Sequence, residues 1–160
     1  MNKDILFEEK RMMYIILIPF IVTTFVMFLF LVIAIYEKAE NFITLILIGG
    51  LILLIAVLLM FYQLKVVVNS EKVIASFGIG LIKKEFPISD IDIDSFSAEN
   101  VRWYQGIGLR YDLKGNMLVS ATTGKALSFK RKEKSTKVTI VTKKIKLLQE
   151  AIISAYKNIK

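Results

Sequence analysis

The 160-residue chain has no cysteine and no histidine. Those two absences exclude disulfides, thiolate nucleophiles, thiolate metal sites, Ser-His and Cys-His dyads and imidazole pH switches. Two long stretches also lack charge: Met12–Tyr36 and Phe42–Tyr62 contain no Asp, Glu, Lys or Arg, and no Asn or Gln. An ion path, a transporter or an intramembrane protease needs polar groups at depth, so these classes are disfavoured. Phosphate-loop spacings are missing as well. Neither Gly-x-Gly-x-x-Gly before a helix nor Gly-x-x-x-x-Gly-Lys-[Ser/Thr] occurs, and "TTGKA" at 122–126 only echoes the second.

What is present is mostly apolar. Fifteen of the twenty-one residues in 42–62 are Leu, Ile, Val or Phe. A helix over that block is roughly 31 Å long, close to the hydrocarbon thickness of about 30 Å. The first block is too long for a signal-peptide core, and "AIYEKAEN" is a poor cleavage site. Two membrane spans are expected, at about 12–36 and 42–62, joined by Glu37–Asn41 as an antiparallel hairpin. Lys3, Lys10 and Arg11 precede the pair, and Lys65 and a basic C-terminal part follow it. That bias places both termini on the cytoplasmic side. Tyr14, Tyr36 and Tyr62 fall near the span ends, where amphipathic rings belong. Pro19 can bend the first span, with Thr23 and Thr24 bonding back to helix carbonyls. Gly49-Gly50 permits close helix approach.

The chain thus divides into a transmembrane hairpin, 1–63, and a water-facing part, 64–160, carrying 18 basic and 9 acidic residues. "LKVVVNSEKVIASF" predicts a strand hairpin, "GIGL" a turn, and "IKKEFPI" a strand with Pro87 at its end or on an edge. "DIDIDSFS" alternates, so Ile91, Ile93 and, after a slip, Phe96 should face inward and the aspartates water. "GLRYDL" and "NMLVSA" flank Lys114-Gly115 as a hairpin. "TTGK" leads into "ALSFKRK", and "EKST" into "KVTIVT". A closing helix carries Ile145, Leu148, Ile152, Tyr156 and Ile159 at helical spacing. Thr142 can cap it, and Lys157 and Lys160 suit its C-terminal dipole. About seven strands and a helix describe a curved, partly open barrel with one end plugged.

Residues 64–157 resemble a bacterial pleckstrin-homology-like (PH-like) domain. The likeness runs through the opening strand hairpin, the "FPISDI" segment, Gly106, Gly108, Leu109 and Arg110, then Gly124, Ala126, Leu127 and Thr142 before the last helix. Lys143-Lys144 stands where the family often has an Asp-Pro pair. The resemblance implies a membrane hairpin followed by a mainly-β PH-like domain at a bacterial cell membrane. It also implies a non-catalytic interaction protein, with bacteriocin immunity or envelope protection as its more specific version. The alternative is a domain that senses anionic lipid or acts as a scaffold.

Candidate contact residues lie in two places. "VRWYQGIGLRYDLKGN" gathers Trp103, Tyr104 and Arg110 around glycines. It reads as a bend pinned by an arginine pair with an aspartate of "DIDID", or as an edge for a peptide, membrane-protein or headgroup partner. Lys130, Arg131, Lys132 and Lys134 form the dense part of a basic run. Beside a membrane, each is worth about 1 kcal/mol toward anionic lipid. The run lacks interleaved aromatics and any nucleic-acid-binding signature, so nucleic acid is not an expected partner. Asp90, Asp92 and Asp94 alternate on one strand with no base or nucleophile beside them. No cofactor, metal site, catalytic residue or small-molecule substrate is called.

Overall fold

The computed structural model describes residues 5–133 and 136–159. Lys3, Lys134 and Lys160, on which parts of the orientation, basic-run and dipole expectations rest, lie outside them.

The first element is a strand, β1 (Ile5–Met12), leading into α1 (Tyr14–Tyr36). A short connection leads to α2 (Asn41–Phe61), and β2 (Gln63–Asn69) follows at once. Both helices are long and apolar enough to cross a membrane, and neither has a buried residue. The chain turns between them through a helix stop built on Lys38 at φ 51°. The Ala39 amide donates to the Ala34 carbonyl and the Lys38 amide to that of Ile35, so two otherwise orphaned carbonyls are satisfied. Thr23 and Thr24 donate to the carbonyls of Pro19 and Phe20, as their spacing predicts. Gly50 is where the helices close on each other. A Cβ there would collide with the thioether end of Met27, while Gly49 has open space.

No strand is expected before the first span, yet β1 pairs antiparallel with β2, from Phe7↔Val68 to Met12↔Gln63. The helical hairpin is therefore an insertion between two hydrogen-bonded strands. The Met13 amide donates to the Tyr62 carbonyl and closes the ladder at the helix ends. β1 alternates. Phe7 and Glu9 point into the fold, whereas Glu8 and Lys10 point out, where Glu8 pairs with both Lys10 and Lys65. Met13 is fully buried in the core of the β unit.

β3 (Lys72–Phe77) and β4 (Ile82–Pro87) complete a four-stranded antiparallel sheet in the order β1-β2-β3-β4. Asn69 caps the β2–β3 turn, its Oδ1 accepting the amides of Glu71 and Lys72. Pro87 ends β4, where its missing donor costs no ladder bond.

The second sheet is mixed. It comprises β5 (Ile91–Val101), β6 (Gly108–Tyr111), β7 (Met117–Ser120), β8 (Gly124–Arg131) and β9 (Lys137–Val141), in the order β5-β8-β9-β7-β6. β7 and β9 run parallel. The slip expected in "DIDIDSFS" is present, because the register with β8 shifts between Asp92 and Ser97. Phe96 then packs edge-on against Phe129.

Two expectations are corrected. The described residues hold nine strands in two sheets and no closed barrel, in place of about seven strands in a curved, partly open barrel. The aspartates do not all face water: Asp90 is buried. The core lies between the sheets, with Leu64, Val68, Phe77, Phe86, Phe129, Ile140 and Ile91 fully enclosed. Helix α3 (Ile145–Ile159) packs across β1, β2, β5 and β8. Leu148 and Ile152 of the expected stripe are buried, Ala151 and Ala155 join them, and Ile159 is exposed.

Candidate membrane-facing site

Three surfaces carry the candidate residues. The first is built on "VRWYQGIGLRYDLKGN". Gly106 (φ 85°) lets the chain bend after the one-turn helix Trp103–Gln105, and the Arg110 guanidinium lies where a Gly106 side chain would be. The Gly106 carbonyl accepts from Ser120 at 3.1 Å. Among the described residues, Arg110 makes no ion pair with the aspartates of "DIDID"; that pinning belongs to Arg131. Arg110 instead lines an open groove of about 420 Å³ with Glu99, Gln105, Asp112, Asn116 and Lys137. Lys137 is paired with Glu99 inside this groove. The Asp112 carboxyl is held below its usual range chiefly by a hydrogen bond from Asn116. Trp103 and Tyr104 stand next to the groove, in edge-to-face contact and 82% and 62% exposed.

The second surface is the basic run, and the fold uses much of it internally. Arg131 donates to Asp90 at 2.6 Å, and the Glu133 amide donates to the same carboxylate at 2.9 Å. Lys132 sits 4.8 Å from the centre of the Tyr156 ring and bonds its hydroxyl at 3.1 Å. Lys130 is exposed. The run also lies away from α1 and α2. Asp90 follows the Pro87 end of β4, which pairs with Lys72, and the helices join the first sheet at its opposite end, Met12↔Gln63. That separation is roughly 20 Å by strand length.

The third surface was not picked out in the sequence. An open cleft of about 700 Å³ lies along the free edge of β1, beside the start of α1, and is lined by Arg11, Tyr14, Thr122, Thr123, Lys143 and Lys144, with Glu8 and Glu9. Arg11 donates to the Thr122 hydroxyl at 2.9 Å, tying the β7–β8 turn to the base of the hairpin. Glu9, buried, organises the rest. It accepts from the Thr142 hydroxyl and, at 3.2 Å, from the Lys143 amide. Thr142 in turn accepts the Lys144 amide at 2.9 Å, just before α3 begins at Ile145, so it braces the approach to the helix and does not cap its first turn as expected. Arg11 is also ion-paired with Glu9 at 3.9 Å, and exposed Lys143 and Lys144 line the same cleft without an ion pair among the described residues. Glu8 belongs to the outer face, where Lys65 first and Lys10 second hold its carboxyl below its usual range.

The cleft thus gathers Lys10, Arg11, Lys143 and Lys144 and the hydroxyls of Thr122 and Thr123 at the level of Tyr14. Its sequence signal was faint. The alternation Phe7, Glu9, Arg11 is broken up by Glu8 and Lys10, and reads as a charged flank of a span. Comparison of the chain with protein-family models, with curated proteins and with solved structures finds no match.

Proposed function

We propose that the chain is a non-catalytic, two-span protein of a bacterial cell membrane. Its β unit, a PH-like module by the resemblance of residues 64–157, is held against the cytoplasmic surface and contacts anionic headgroups there. One observation carries this reading: the helical hairpin is inserted between the paired strands β1 and β2. A span joined through one linker can swing away from the bilayer. A span pair that leaves and re-enters one strand ladder, with Met13 in the core, keeps the sheet seated at the surface. It also puts residues 5–12 and the β unit on one side, so orientation becomes a single question, which the lysine and arginine bias answers as cytoplasmic. Exposed Lys143 and Lys144 in the cleft supply the charge that would hold a phosphate group.

The test is lipid selectivity of the full chain in mixed vesicles. Association of spin-labelled phosphatidylglycerol should exceed that of phosphatidylcholine and lose its excess in the Lys143→Gln/Lys144→Gln variant. Equal association of both lipids with the unaltered chain would reject the headgroup reading. Maleimide labelling of Leu113→Cys in intact cells would reject the cytoplasmic placement.

A second reading is favoured by exposed Trp103 and Tyr104 beside the Arg110 groove, a surface suited to a peptide or membrane-protein partner. The immunity version of that role rests on the resemblance alone.

A further inference from the structure

We infer that the β3–β4 turn is itself a membrane contact, which seats Ile79 and Leu81 in the boundary between headgroups and acyl chains. The inference rests on the two-span reading above and adds to it a contact made by the β unit. The turn is docked on the end of α2. Its Ile79 amide donates to the Leu59 carbonyl at 3.1 Å, and the Gly78 amide to the Gln63 carbonyl at 2.7 Å. Gly78, at φ 54°, lies so close that a Cβ would collide with the carbonyl oxygens of Leu59 and Met60. Leu59 is two residues short of the last residue of α2, so the turn lies roughly 3 Å below the helix end. Its depth is therefore that of the last turn of an apolar span.

Two properties fit that depth. Ile79 and Leu81 are 59% and 69% exposed on a turn with no polar side chain between them. The amides of Gly78, Ile79 and Gly80 are all paired, the last with the Phe77 carbonyl at 2.8 Å, as backbone away from water requires. The β6–β7 turn is the contrast. Leu113 is fully exposed there, but between Asp112 and Lys114, at the end of β7 remote from Thr122 and the hairpin base.

The absence of cysteine makes the test direct. Single variants Ile79→Cys, Leu81→Cys, Leu113→Cys and Leu53→Cys of the full chain are labelled with bimane in phosphatidylcholine–phosphatidylglycerol vesicles. Lipids carrying a quencher just below the headgroup are then added. Position 53, in the middle of α2, reports the span, and position 113 the aqueous turn. Quenching at 79 and 81 several-fold above that at 113 is expected. Quenching at 53 with none at 79 and 81 would overturn the inference and leave the spans standing. Quenching at none of 53, 79 and 81 would overturn both. Disulfide-linked dimers of Leu81→Cys without lipid quenching would assign the turn to a second copy of the chain and overturn the inference equally.

Discussion

The three helices are of two kinds. α1 and α2 bury no residue and are apolar on every side, whereas α3 buries Leu148, Ala151, Ile152 and Ala155 along one face and turns lysines outward on the other. α3 has its partner in the protein, because the sheets cover its stripe. α1 and α2 meet along a seam marked by Met27 over Gly50; Ile16 packs against the core and the end of α2 meets the β3–β4 turn, and most of their remaining side chains are exposed. A helix that is hydrophobic all round needs an apolar surrounding, and here the protein does not supply it. The first two helices thus leave exposed the kind of surface that the third covers.

That contrast can be broken by truncating one side chain of each kind. Ile152→Ala removes a fully buried side chain from the core. It should destabilise the β unit by about 2–5 kcal/mol, because the cavity left behind relaxes only in part. Val32→Ala trims a half-exposed side chain in α1 and should stay within about 0.5 kcal/mol. Thermal unfolding in detergent, followed through Trp103, measures both. Equal losses would mean that α1 is packed against protein after all.

Next in size is a pair of glycines that sharpens how the two regions are joined. Gly78 and Gly80 both have positive φ, but only Gly78 abuts the carbonyls of α2. Gly80→Ala should cost about 1–2 kcal/mol from backbone strain alone. Gly78→Ala adds a collision with backbone that cannot move aside, and should lower the unfolding midpoint clearly further. Equal midpoints would show that the turn is not docked on the helix.

The same division explains what was readable in the sequence. Both long apolar helices, the β2–β3 hairpin, Pro87 at a strand end, the slip in "DIDIDSFS" and the stripe through Leu148 and Ile152 follow from local patterns, and local patterns are what periodicity reports. β1 was illegible because its inward face is Phe7, Glu9 and Arg11. Besides its ion pair with Arg11, Glu9 is satisfied inside by Thr142 and Lys143, more than 130 positions away. Asp90 was assigned to water for the same reason: Arg131 lies 41 positions on. Buried charges depend on distant partners, so the alternation rule misplaces them. The candidate cleft was hidden with β1, since Arg11, Thr122 and Lys143 meet only once that strand is paired.

The two basic surfaces offer a smaller comparison. Neutralising Lys143 and Lys144 should weaken phosphatidylglycerol association by about 2 kcal/mol, roughly 30-fold, taking about 1 kcal/mol per charge near the surface. Neutralising Lys130 and Lys132, roughly 20 Å further out by strand length, should change it little, because the effect fades over a Debye length of about 8 Å. A larger loss from the second pair would show that the unit lies on its side.

The smallest effect separates the regions by acidity. Glu8 and Glu85 sit on the outer face of the first sheet and have carboxyls held below their ordinary value of 4.5, by Lys65 then Lys10 and by Lys72 respectively. A carboxyl whose folded pKa is lowered stabilises the fold above its unfolded pKa and loses that contribution as pH falls through the folded value. The β unit should therefore unfold at lower temperature as pH drops below about 4.5, where the depression of these carboxyls is spent. Glu8→Gln/Glu85→Gln should flatten part of that acid limb while leaving the midpoint at pH 3 nearly unchanged. Tyr14–Tyr36 and Asn41–Phe61 contain no carboxylate or amine side chain, so nothing in them titrates over this range. Their helical circular dichroism should persist where the β unit has melted. A helical signal lost together with Trp103 fluorescence at pH 3 would show that the hairpin holds its shape only through the sheet that grips it.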